Sequence, residues 1–512
     1  MNIKNVINDN GQYEGYLFTG ATVVTVDEGR NIFEDGAILV KEDKIIEVGS
    51  TDDLLKKYEH EEGIAKIDSR RKMILPGFID VHAHAGHTLL TMLGEATPTN
   101  WMPMMTEIYH HNTDDEFWYN EGRLAAFTRL SYGVTTGLSV ISNCQRVDRF
   151  EILKAHSDAY AKLGAREILA VGPSGPPYPR VNHHYLTNGE VLETSKELDE
   201  LFVNTEDFIS KLNHGHGDLI RAFAAPFVLL FSFNQSSMTA ADVAVELTDL
   251  DRYVMKSIRE IARNCNTRIH TEAFGGMIRL AMQAPESERL LGEDVHLQHC
   301  TGISLDEAKI LADTKTHVSS TASSRQFSNR CPVPELMTMG ANVVIASDGT
   351  APSSTFDLIR QTQNMALVHR GFLNDNFYFP AGKLLEMITI DAAKALGWED
   401  EIGSIEAGKK ADLVFVDLDK PHLTPNLMPL RKFMGMGTGE DVEATMVNGK
   451  FVYHKGDTIL EDRRSILDGA EKSARETIKR ADMEKFYATS DKFWGTIRRE
   501  LTSKRFEDKG WK

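Results

Sequence analysis

Two textures alternate along the chain. From Tyr16 to about residue 75, apolar and polar positions alternate in short runs: YLFTGATVVTV, GAILVKEDKIIEVGS with its Glu42-Asp43 turn, and the run into KMILPGF. Period-two alternation punctuated by turn residues predicts a small antiparallel sheet. From Pro76 the pattern changes, and short β-rich apolar runs alternate with longer segments of helical period. The predicted strands are Phe78–His82, Val134–Ser139, Glu167–Val171, Leu219–Ala225, Arg268–His270, Val295–His299, His317–Ser319 and Asn342–Ala346. Predicted helices include Asp115–Leu130, Asp249–Cys265 and Leu305–Thr314. Eight strands separated by helices predict an α/β fold, a (β/α)8 TIM-like barrel over residues 76–400. Strand texture returns in GSIEAGKKADLVFVDLD and VEATMVNGKFVYHKGD, where Asn448-Gly449 is a hairpin turn. Residues 1–75 and 401–460 are therefore expected to be two halves of one small β-sandwich domain, with the barrel inserted between them. Residues 461–512 are charged, and Ile478, Ala481, Phe486, Phe493 and Ile497 fall at helical spacing. They predict a helical tail lying on the barrel or on a neighbouring subunit of a homo-oligomer.

Composition narrows the classes. At 512 residues with 41% hydrophobic and 26% charged positions, the chain can bury a large core and is neither disordered nor fibrous. Fifty-seven basic against 75 acidic residues give a net charge of −18, which disfavours nucleic acid or an anionic membrane as partner. The four cysteines, Cys144, Cys265, Cys300 and Cys331, form no CxxC pair and read as reduced thiols. The N-terminal stretch MNIKNVINDNGQYEGY has no apolar core of a secretory signal, and the strongest apolar run, Ala222 to Phe233, is broken by Pro226. The expectation is a cytoplasmic protein acting on a small molecule.

The chemistry collects at predicted strand ends. In PGFIDVHAHAGH, His82 and His84 are two apart, so a strand turns both imidazoles to one face. On the first strand of a barrel they would point to the C-terminal mouth, where barrel enzymes keep their active sites. His270 ends TRIH, His299 ends VHLQH, and Asp348 follows VVIAS before a glycine turn. Neutral imidazoles and a carboxylate suit one divalent metal, Zn(II) or Fe(II), with a position left open. Each residue alone could be a structural histidine or a rim carboxylate; the pattern on strands one, five, six and eight points to a site.

These motifs resemble the metal-dependent amidohydrolase superfamily, and within it the cytosine deaminase-like, atrazine/triazine hydrolase (ATZ/TRZ) group. The resemblance runs from about residue 16 to 460 through PGFIDVHAHAGHTLLTMLGE, LSYGVTTGLSV, HCTGISLDEAKILADTKTHVSS, CPVPELMTMGANVVIASDG and ITIDAAKALGWEDEIGSIEAGKKADLVFVDLD. It implies that His82, His84, His270 and Asp348 bind a single metal and that His299 polarises the group under attack. Asp348 would also take a proton from the attacking water and pass it to the leaving group. Related two-metal enzymes carry a bridging residue near the fourth strand, but LIRAFAAPFVLLFSF has no Lys, Glu, Asp, Cys or His. One metal is therefore expected. The implied function is hydrolysis of a non-peptide C–N bond, foremost deamination of an N-heterocyclic or amidine-like small molecule. Amide, urea or carbamate hydrolysis is the alternative, and a catalytically dead scaffold the remote one.

Two departures bear on substrate. Deaminases of the group carry H-x-x-E after the fifth-strand histidine, whereas this chain has His270-Thr271-Glu272. The shorter spacing is expected to turn Glu272 to the other strand face, where it is either a proton shuttle reached by a break in the strand or a rim carboxylate paired with arginine. LLTMLGE also lacks the arginine many relatives place before the glycine. Specificity is expected from the strand-to-helix loops: Glu95–Tyr109, Gly172–Tyr185, then Phe231, Phe233 and Asn234, then Arg325, Gln326 and Phe327. His183 and His184 are expected to be surface loop histidines.

Overall fold

The computed structural model describes residues 3–8, 13–96, 102–143, 145–233, 246–323, 330–352 and 354–487. The eight barrel strands are Phe78–Ala85, Val134–Ile141, Arg166–Val171, Ile220–Ala224, Ile269–Phe274, Val295–Thr301, His317–Ser320 and Val343–Ile345. They pair in parallel in that order. The first and eighth strands meet through the Asp348 amide, which donates to the His82 carbonyl at 2.9 Å. The ring therefore closes at the two residues expected to carry chemistry. Nearly all strand positions are buried, as expected of a parallel sheet covered by helices.

The helices form where the sequence period foretells and stop at identifiable caps. Asp115–Ser131 opens with the Asp114 carboxylate accepting from the Phe117 amide at 2.7 Å. Asp249–Asn264 and Leu305–Asp313 open with reciprocal capping boxes, Thr248 with Asp251 and Ser304 with Glu307. Each cap satisfies amide donors that have no partner inside the helix.

The terminal β segments join in one nine-stranded sheet, because Lys72–Pro76 pairs antiparallel with Leu413–Asp417. This seam brings the two sequence halves together. Phe18 lies on Gly15–Val24 and Phe451 on Lys450–His454, four strands apart in sheet order. In a flat sheet they would stand about 19 Å apart, yet their rings are 6.1 Å apart. The sheet curls over itself and encloses a core of Phe18, Ile38, Ile74, Leu413, Phe415 and Met446. Asn448 and Gly449, both at positive φ, form the two-residue turn between Val442–Val447 and Lys450–His454.

The tail begins with helix Arg463–Arg480, which buries Ile466, Ala470 and Ile478. Asn120 of the Asp115–Ser131 helix donates to Ser473 at 2.9 Å, so the tail helix docks on the barrel. The expected positions Phe493 and Ile497 lie outside the described residues. No helix among the described residues is long and apolar enough to cross a membrane.

His183 and His184 require a correction. They sit on a strand, Arg180–Tyr185, paired antiparallel with Val191–Lys196 above the barrel mouth. Strand alternation turns His184 inward, fully buried, with its Nε2 2.9 Å from Asp115, while His183 stays half-exposed beside Glu193. Neither is a plain surface histidine of a loop.

Candidate active site

Alternation on the first barrel strand sends Asp80, His82 and His84 to one side, and all three are buried. His84 anchors its Nδ1 on the Ser142 carbonyl at 2.8 Å, and His82 places its Nδ1 2.9 Å from His270 Nε2. Both rings thus aim Nε2 into a common void. Asp348 closes that void from the eighth strand, its Oδ1 3.6 Å from His82 Nε2 and 3.5 Å from His84 Nε2. Burial alone would raise the Asp348 carboxyl, but the surrounding imidazoles outweigh it and hold the group well below the usual carboxylate range.

Glu272 also faces this void. The expectation that H-x-E would turn it away is overturned, because two residues apart is the strand's own repeat and His270 and Glu272 share a face. The strand does not break there: Glu272 pairs with Gln298, and its carbonyl accepts from the Leu229 amide. Its Oε1 lies 3.6 Å from His84 Nε2 and 3.9 Å from His82 Nε2. No arginine pairs with it among the described residues. His299 stands over both carboxylates, with Nε2 3.8 Å from Glu272 and 4.0 Å from Asp348.

His270 lies differently from the other expected ligands. Its Nε2 meets His82 Nδ1, and its Nδ1 is 3.1 Å from His296 Nδ1. Burial pulls both His270 and His296 well below the ordinary imidazole value, so the pair is neutral.

A divalent metal fits the residues present. His82 Nε2 is buried and makes no hydrogen bond among the described residues. Ligand atoms of His82, His84 and Glu272, and of His82, His299 and Asp348, fall within 4.8 Å of one another. Two buried carboxylates opposite imidazole nitrogens form an O/N donor set for a borderline or hard cation.

Two aromatic stacks brace the site. His87 stacks on His84 with ring centroids 4.8 Å apart and on Tyr109 at 5.3 Å. On the other side His299 stacks on Phe274 at 5.5 Å, and Phe274 on Phe233 at 5.3 Å. Below them, Ser347 donates through its amide and hydroxyl to Asp80, which is paired with the buried Arg129 at 2.8 Å. Asp80 and Phe274 were open to detection, since each lies two residues along a strand from an expected site residue, whereas His296 lies three residues from His299 and shares no face with it by strand alternation. His87 was not, because it comes after the chain leaves the strand at Gly86 with φ of 90°. Of the expected loop residues, Tyr109, Phe231 and Phe233 are buried, while Asn234 and Arg325–Phe327 lie outside the described residues.

A closed parallel barrel with buried imidazoles and carboxylates gathered at the strand ends defines the class: a barrel hydrolase built around a divalent cation. Residues 73–452 match the amidohydrolase family, and the chain belongs to it. It is therefore a hydrolase of carbon–nitrogen bonds other than peptide bonds. Among curated relatives it is 24% identical over 486 residues to a 5-methylthioadenosine/S-adenosylhomocysteine deaminase of Thermoanaerobacter pseudethanolicus, covering 91% of this chain and 99% of the relative. It is 24% identical over 473 residues to a 5'-deoxyadenosine deaminase of Methanosarcina barkeri, again covering 91% and 99%. Among solved structures, a triazine hydrolase from Arthrobacter aurescens superposes with a TM-score of 0.73 at 19% identity, covering 90% of this chain and 99% of that one. A zinc-bound adenosine deaminase from Xanthomonas campestris gives 0.71 at 19% identity, covering 91% and 98%.

Proposed function

We propose that the protein is a mononuclear metal-dependent aminohydrolase that removes an exocyclic amino group from an N-heterocycle, with 6-aminopurine nucleosides as the first substrate class to test. The convergence of His82, His84 and Asp348 on one buried void carries the reading, and the deaminase names of the full-length relatives support the choice of substrate. The cation, Zn(II) or Fe(II), would be held by these three residues and would acidify the attacking water. Asp348 takes the water's proton at its carboxylate and delivers it to the departing amine. His299 faces the carboxylates from the mouth side and donates a hydrogen bond to the group under attack. The Phe274 stack fixes the plane of its ring. The closed barrel around the site excludes bulk water and so strengthens each of these interactions.

Hydrolysis of an amide, urea or carbamate is a second reading, favoured by one observation. Glu272 is drawn against His82 and His84, which leaves His299 as the outward donor, and a carbonyl needs only such a donor. The two readings separate by product. Metal-loaded protein is to be assayed on adenosine, 5'-substituted adenosines, aminotriazines, ureas and anilides, with ammonia and organic amine measured separately. Ammonia released from the aminopurines or aminotriazines is the expected result. Amine release from ureas or anilides, with no ammonia from any heterocycle, overturns the deaminase reading.

A further inference from the structure

We propose that Glu272, not His270, is the fourth protein ligand of the cation, so that this chain builds its site from two imidazoles and two carboxylates. The inference rests on the metal-dependent reading above and refines it. On the fifth barrel strand His270 and Glu272 both face the barrel interior, and two residues of strand rise put Glu272 about 6–7 Å nearer the mouth. At that level Glu272 Oε1 and Asp348 Oδ1 each oppose the same two nitrogens, His82 Nε2 and His84 Nε2. The four separations are 3.9, 3.6, 3.6 and 3.5 Å. Donors arranged as a tetrahedron about 2.0–2.2 Å from one centre lie about 3.3–3.6 Å apart. The observed frame is close to that size.

Charge supports the same assignment. Glu272 and Asp348 are both buried, and among the described residues neither is paired with a lysine or arginine. Two buried carboxylates facing one void, with only imidazoles around them, call for a cation between them. His270 sits one layer deeper, and both its nitrogens are engaged, by His82 and by His296. That is the position of a residue that orients a metal-binding imidazole through its far nitrogen, as the Ser142 carbonyl does for His84. His270 is thus a positioning residue. Glu272, once bound to the cation, is not free to shuttle a proton to a substrate ring, and that duty passes to His299.

The test is X-ray absorption on the full-length protein loaded with Zn(II), in which imidazole ligands are counted from their outer-shell scattering. Two imidazoles are expected in the wild type, and still two in His270→Gln. Zn(II) affinity, measured by chelator competition, should fall about 10–100-fold in His270→Gln, the scale of a lost outer-shell partner, and further in Glu272→Gln. Three imidazoles in the wild type would overturn the assignment while leaving the metal-dependent function standing. Failure to take up Zn(II) or Fe(II) at all would bring down both. The wild-type count decides, so a variant that does not fold leaves the outcome intact.

Discussion

His299 is the residue whose role is most separable from metal binding, because its Nε2 faces the two carboxylates at 3.8 and 4.0 Å from the mouth side. Its backbone is held at φ of 73°, a strained conformation for a non-glycine residue that aims the ring off the end of its strand. Replacing it by asparagine keeps a short polar side chain but removes the aligned donor. His299→Asn is expected to lower kcat by about 10²–10³, the scale of one lost electrophilic donor. Metal content measured by mass spectrometry should stay at the wild-type level. A variant with full metal and near-normal kcat would remove His299 from the reaction.

Between elements, the turn after the eighth strand and the chain leaving the first are packed without slack. Gly349 follows Asp348, and a Cβ placed there would sit 2.4 Å from His87 Nδ1. His87 cannot yield, since it is sandwiched between the rings of His84 and Tyr109. A methyl group must therefore push the Asp348 turn away from the His82/His84 strand. Gly349→Ala is expected to lower the melting temperature of the loaded protein by several degrees, the effect of about 1–3 kcal/mol of overpacking. It should also weaken retention of metal against a chelator. Unchanged melting and unchanged metal retention would show that the turn has room the packing does not reveal. The strand stays regular through Glu272, so its two-residue spacing from His270 means a shared face, the reverse of the expectation that the shorter H-x-E spacing would turn it away.

Across the whole molecule, a buried ionic chain ties the barrel wall to the site. His156, on helix Phe150–Lys162, lies 2.6 Å from Glu121 and 3.0 Å from Glu167, and Glu121 accepts from the Thr88 amide just beyond His87. Burial opposes protonation of His156, but the two carboxylates outweigh it and push its pKa up to about 10. A folded pKa raised above the unfolded value of about 6.5 means stability that is full below that value and is lost as pH rises through about 10. His156→Gln is therefore expected to destabilise by about 3–5 kcal/mol near pH 6. The gap to wild type should narrow as denaturation is repeated from pH 6 to pH 10; a gap constant over that range would refute a charged His156. In the sequence, the repeats of 2 and 3.6 residues marked the barrel strands and the helices between them, and the residue types at the predicted strand ends picked out His82, His84, His299 and Asp348, because both are local features. Tertiary structure decided what local repeats cannot encode. The layer at which each side chain stands depends on barrel register, and that register set His270 behind His82 and raised Glu272 into the void. Pairing of Lys72–Pro76 with Leu413–Asp417 joined segments more than 300 residues apart, and only tertiary packing brought His87 against Tyr109 and Gly349, and His156 against Glu121 and Glu167, to which no sequence spacing connects them.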